Sequence, residues 1–171
     1  MKELAENDVT QAQNDLGVAY MTGDGVDLNE HQAVYWFRRA SSQGNAEAMA
    51  NFGMCLLLGK GIAKDIGAAL YILESAYLMG VNNVIKNILD AIHIKDVDIN
   101  VIISLANNNN TQAKWILGLC YDHGLCVSRD TQKAMELFND AGKNNNPIAL
   151  WILAHFFANN SEPDLLYAKM Y

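Results

Sequence analysis

Residues 12–44 read AQNDLGVAYMTGDGVDLNEHQAVYWFRRASSQG, and their pattern returns 36 residues later. Ala12, Leu16, Gly17, Tyr20, Gly23, Gly25, Val26, Ala33, Ala40 and Gly44 recur as Ala48, Phe52, Gly53, Leu56, Gly59, Gly61, Ile62, Ala69, Ala76 and Gly80. So many matches in one register mark an internal repeat, and a repeat decides the architecture before any local reading does. A further copy runs Ala113, Leu117, Gly118, Tyr121, Gly124, Cys126, Val127, Ala134, Ala141 and Asn145, and a cut-off one begins Ala149, Leu153, Ala154, Phe157 and Asn160.

Within each unit the spacing predicts two antiparallel helices. Ala12, Leu16, Gly17 and Tyr20 form one stripe at helical period, and a glycine in that stripe lets a second helix approach closely. The second helix carries its own stripe, Ala33, Trp36, Phe37 and Ala40, which puts Trp36 in the core. Gly23 and its equivalents, Asn160 among them, are placed to end the first helix in a left-handed turn, while Asn29, Asp65 and Asp130 stand where a side-chain oxygen caps the second. Gly44, Gly80, Asn109 and Asn145 share one position, suited to a left-handed cap. Asn45, Asn110 and Asn146 follow as N-caps, and Pro147 sits at a first helical position. The Asn-rich runs are helix punctuation.

A pair of short helices cannot bury both faces alone, so the units must stack. The expected fold is therefore all-α, a right-handed α-α superhelix (solenoid) of about four to five helix-pair repeats, read as one domain over residues 1–171. Its units are 9–44, 45–80, a degenerate 81–109, 110–145 and a partial 146–171. The third departs from pattern: Leu89 replaces the glycine and its 29 residues are seven fewer than 36. Leu4 and Ala5 read as the tail of a preceding helix and PDLLYAKMY as the start of another, so a fragment of a longer protein is the expectation.

The full pattern, A-x-x-x-L-G-x-x-Y-x-x-G-x-G-V-x-x-D-x-x-x-A-x-x-W-F-x-x-A-x-x-x-G, resembles the Sel-one-like repeat family, relatives of the tetratricopeptide repeat. The resemblance covers residues 12–80 and 110–145 well and 146–160 in part. It implies a non-catalytic adaptor or scaffold that binds a partner protein or peptide, with relatives in signalling, in membrane-associated quality control and, in bacteria, in contact with host cells. It implies a place in the cytoplasm or, after secretion, in a host cytosol, and a periplasmic one where a signal peptide has been removed.

In helix-pair solenoids of this kind the first helices line the concave face. Two residues past the stripe alanine lie Asn14, Ala50, Lys86, Trp115 and Trp151, and one turn on lie Val18, Met54, Asp90, Leu119 and His155. From these the expected partner-binding residues are Trp115, Trp151, Leu119, His155, Met54, Asn14, Val18 and Lys86, with the tryptophans as an exposed aromatic cluster of the kind hot spots are made from. The competing reading is that neighbouring first helices pack side by side and bury the indoles.

Other functions find little support. The net charge of -7 opposes a phosphate backbone, and no basic run exceeds Arg38-Arg39, so nucleic acid is not the expected partner. No apolar run nears the roughly 20 residues a membrane helix needs, so no membrane insertion is expected of this segment. The segment LGLCYDHGLCVSRD, residues 117–130, places Cys120, His123 and Cys126 at equal spacing, but a structural zinc site wants four ligands. A Cys120–Cys126 disulfide stays open. In register it is a repeat loop with Cys126 at a glycine position. TGDGVDLNE lacks the ligand spacing of a calcium loop. No metal and no cofactor are expected. Two alternatives to the adaptor remain: a regulatory or inhibitory subunit that holds an enzyme or toxin by another face, and, remotely, a hydrolase. The four histidines are scattered over different units and no base–nucleophile arrangement is visible, so no catalytic residue is named.

Overall fold

The computed structural model describes residues 2–7 and 9–158. Those residues form ten α-helices and no strand. A short α1 (Lys2–Glu6) precedes α2 (Thr10–Thr22), α3 (Glu30–Ser42), α4 (Ala46–Leu58) and α5 (Ile66–Leu78). Then follow α6 (Val84–His93), α7 (Ile99–Asn107), α8 (Thr111–His123), α9 (Thr131–Lys143) and α10 (Pro147–Ala158). The helices gather into two units, Met1–Val84 and Ile85–Tyr171. First helices begin at residues 10 and 46 in one unit and at 111 and 147 in the other, 36 apart in each case.

Each boundary has the cause its residue type supplies. The side chains of Asn45, Asn110 and Asn146 accept the N–H groups of Ala48, Ala113 and Ala149 at 2.8, 2.7 and 2.9 Å. Asn29, Asp65 and Asp130 do the same for Gln32, Ala68 and Lys133. These caps satisfy amide donors that a helix start leaves without intrahelical partners. Gly23, Gly59 and Gly124 close the first helices in the left-handed region, at φ 76, 74 and 68°. Asn109 and Asn145, the asparagines at the second cap position, take φ 63 and 58°. Asn160, and the helix start read from PDLLYAKMY, lie outside the described residues.

Helix pairs close on one another through a glycine. A Cβ built on Gly17, Gly53 or Gly118 would stand 2.6, 2.7 or 2.5 Å from Phe37, Leu73 or Phe138 of the second helix. Only a hydrogen fits there. In the first unit Ala5, Ala12, Leu16 and Trp36 cluster, and Ala33, Val34 and Phe37 pack with Cys55 of α4, so one helix pair is seated on the next. Trp36 is buried at 6% exposure as expected, although its indole N–H finds no hydrogen-bond acceptor among the described residues.

The third repeat shows what its lost residues did. Leu89, where other units have glycine, is 1% exposed, and the linker from α6 to α7 shrinks to residues 94–98. Lys95 takes the left-handed turn at φ 66°, and Asp98 caps α7 through the Asn100 N–H.

Candidate functional site

The α2 and α4 helices lie side by side, tied by Asn45 Nδ2 donating to Gln11 Oε1 (3.2 Å) and Asn51 Nδ2 donating to Asn14 Oδ1 (2.9 Å). Beyond the second tie lies a cleft of about 270 Å³. Val18 and Met21 of α2 face Met54 and Leu58 of α4 across it, Phe37 and Cys55 lie deeper, and Asn51, Thr22 and Lys60 supply the polar lining. Thioether and aliphatic side chains at the walls adapt to irregular shapes at little cost. The cleft is suited to receiving an apolar side chain.

The thiol at its floor is held in the neutral form. The Cys55 thiol is pushed up to about 11, first by burial and then by Glu30, with Lys60 pulling the other way, so at neutral pH it carries its proton. Burial, aided by Cys126, pushes Cys120 up to about 12. Cys55, Cys120 and Cys126 are all free. Cys126 stands exposed at φ 56°, in the glycine position of its loop, and its thiol reaches the Ile92 carbonyl at 3.4 Å. Among the described residues no group of three His, Cys, Asp or Glu side chains is placed to hold a metal ion.

The eight expected binding residues separate into different environments. Val18, 40% exposed, and half-buried Met54 share the cleft. Trp151, 43% exposed, and His155 share the surface of α10, their rings stacked at 5.5 Å and 12°. Lys86 is exposed on α6. Three expectations of exposure are corrected: Trp115 and Leu119 are each 1% exposed and Asn14 is 4% exposed. Asn14, two past the stripe alanine, points toward the neighbouring first helix, as the Asn14–Asn51 bond shows, and is enclosed there, whereas Trp151 and Lys86 at the equivalent position stay open. The exposed tryptophan cluster is reduced to Trp151. Sequence reading missed Met21, Asn51, Leu58 and Lys60. Asn51, Met54 and Leu58, like Val18 and Met21, recur at helical spacing beside the core stripe, and that second stripe was the available signal.

Comparison with known proteins follows the same lines. A family model described as Sel1 repeat matches residues 10–45, 46–81 and 111–146. The rat protein named DAP3-binding cell death enhancer 1 is 30% identical over 80 residues, 47% of this chain and 15% of its own length. Its mouse counterpart is likewise 30% identical over 80 residues. The chain thus spans a minor part of the curated relatives it matches. Among solved structures, a protective antigen present in uropathogenic Escherichia coli strains, which displays an SLR fold, is 25% identical with a TM-score of 0.51, over 95% of this chain and 37% of that one. A Sel1 repeat protein from Oxalobacter formigenes is 25% identical with a TM-score of 0.50, over 98% of this chain and 73% of that one.

Proposed function

The chain belongs to the Sel1 repeat family, whose repeats mediate protein–protein interaction, and from that premise we propose that it is a non-catalytic adaptor that binds a protein or peptide segment along its first helices. One observation carries this reading: the cleft between α2 and α4 is open, walled by Val18, Met21, Met54 and Leu58, and floored by a protonated thiol. Enclosing one large apolar side chain there contributes about 1.5–3 kcal/mol. The remaining affinity comes from contacts along the groove. A role in signalling or host contact belongs to the same proposal, supported by the likeness to the antigen's fold. Among the described residues no helix is long and apolar enough to cross a membrane, which suits a partner met in water.

A random peptide library displayed on phage tests the reading. Sequences should be enriched on the wild-type chain and lost on a Val18→Glu, Met54→Glu variant whose circular dichroism and melting temperature are unchanged. Failure to enrich, or retention by that variant, would refute it.

A second reading, a regulatory or inhibitory subunit that grips an enzyme or toxin by another face, is favoured by the second helices, where Tyr35 of α3 and Tyr71 of α5, 36 residues apart, are 52% and 63% exposed. Selected binders that survive the cleft substitutions and Trp151→Ala and are lost with Tyr35→Ala, Tyr71→Ala would transfer the site to that face.

A further inference from the structure

Resting on the cleft as the binding site, we propose that its ligand is a partner segment with a fixed charge order: a basic side chain, a large aliphatic one about two residues on, and an acidic one about two residues beyond that. The groove itself is ordered this way. Along α4, Glu47, Asn51, Met54 and Leu58 fall at one helical face, and Asp15, Val18 and Thr22 do so along α2. The two inter-helix amide bonds, Gln11 with Asn45 and Asn14 with Asn51, bring the same ends of the two helices together. Half-buried Asp15 and exposed Glu47 therefore stand at one end of the groove, the apolar cleft follows, and exposed Lys60 stands at the other end.

The charges at the two ends are available in different degrees. Lys60 is the one cationic side chain lining the cleft among the described residues. Its neighbour in charge, Glu30, already receives the Gly61 N–H at 3.0 Å, while His31 Nδ1 lies 2.8 Å from the Gly61 carbonyl. At the acidic end, Asp15 accepts from Gln11 Nε2 at 2.9 Å and keeps oxygen lone pairs for a second donor. Cys55, protonated, adds no charge.

Length sets the register. From Glu47 to Leu58 is eleven residues, about 16 Å along a helix at 1.5 Å per residue. An extended peptide covers about 13 Å in the four steps between its basic and acidic residues at 3.3 Å each, and the long side chains at the two ends span the rest. The cavity, about 270 Å³, is at the small end for a drug-sized ligand, and matches a single aliphatic side chain with its flanking backbone. Opposite charges at the two ends make the ligand dipolar, which explains how an acidic chain of net charge -7 admits a carboxylate at one point.

The peptide selection that tests the binding site also tests this order, because the pools can be sequenced. Enriched peptides should carry Lys or Arg and Asp or Glu about four residues apart, in either chain direction, around Leu, Ile or Met. A selected peptide, synthesised with acetyl and amide ends so that only side-chain charges remain, should weaken about five-fold in Kd on Lys60→Glu and by a similar factor on Glu47→Lys. Both residues are exposed, so neither variant should disturb folding. A peptide with its two charges exchanged should bind the double variant Glu47→Lys, Lys60→Glu better than the wild type. Binders lost on Val18→Glu but indifferent to both charge reversals would overturn the charge order and leave the cleft standing. An empty selection would overturn the binding site and this inference with it.

Discussion

Replacing Gly118 with alanine tests the tightest contact in the repeat. Alanine is the better helix former by about 1 kcal/mol, so on an exposed helix face the change would stabilise. Here the added Cβ would lie 2.5 Å from one carbon of the Phe138 ring and 2.9 and 3.0 Å from two others, against an ordinary contact of 3.4–4 Å. Phe138 is 3% exposed, so its ring cannot swing into solvent, and α8 and α9 must separate by several tenths of an ångström. Overpacking of this kind costs about 1–3 kcal/mol, which outweighs the propensity gain. The expected net loss is up to about 2 kcal/mol, read by urea unfolding followed through circular dichroism at fixed m-value. Phe138→Leu paired with Gly118→Ala should lose less than the two single changes together, since the smaller side chain relieves part of the collision. A Gly118→Ala protein more stable than the wild type, or strictly additive with Phe138→Leu, would refute the close-approach argument.

Four further outcomes follow from the loops and thiols. Cys126→Gly should stabilise by about 0.5–1 kcal/mol in the same urea assay, because a side chain at φ 56° costs about 1–2 kcal/mol and the weak thiol bond to Ile92 returns only part of it. Asn110→Ala should cost about 1 kcal/mol by removing the 2.7 Å cap on Ala113, while Asn110→Ser retains most of it. In the native protein a thiol reagent at pH 8 should modify Cys126 fastest, with Cys55 and Cys120 released only by denaturant. The same two thiols give a pH signature. Their folded values, about 11 and about 12, lie above the ordinary 9.0, so the unfolded chain loses these protons first. Their contribution to stability is complete below pH 9 and is lost as pH rises from there through 11 and 12, an alkaline decline that Cys55→Ala, Cys120→Ala should flatten.

Helix identity, helix ends and pairing were readable from residue types because each depends on local chemistry. An asparagine that accepts the amide three residues on, or a glycine at φ 76°, needs no distant partner to be recognised. Repetition at 36 residues then made the same chemistry visible several times over. Exposure was different. Trp115 and Trp151 hold equivalent positions and read alike, yet one is 1% and the other 43% exposed. Which of them meets solvent depends on the helix that packs alongside, and a repeat pattern that is the same in every unit says nothing of neighbours. The cleft was half visible, through Val18 and Met54, and half hidden. Met21, Leu58 and Lys60 join it only because α2 and α4 are held side by side by the Asn14–Asn51 bond, and that pairing is a property of two packed helices. The sequence by itself determined the helices, their caps and the glycine contacts, all of which rest on interactions within one repeat. Tertiary structure decided which side chains of the first helices remain open to a partner, because burial is set by what lies next door.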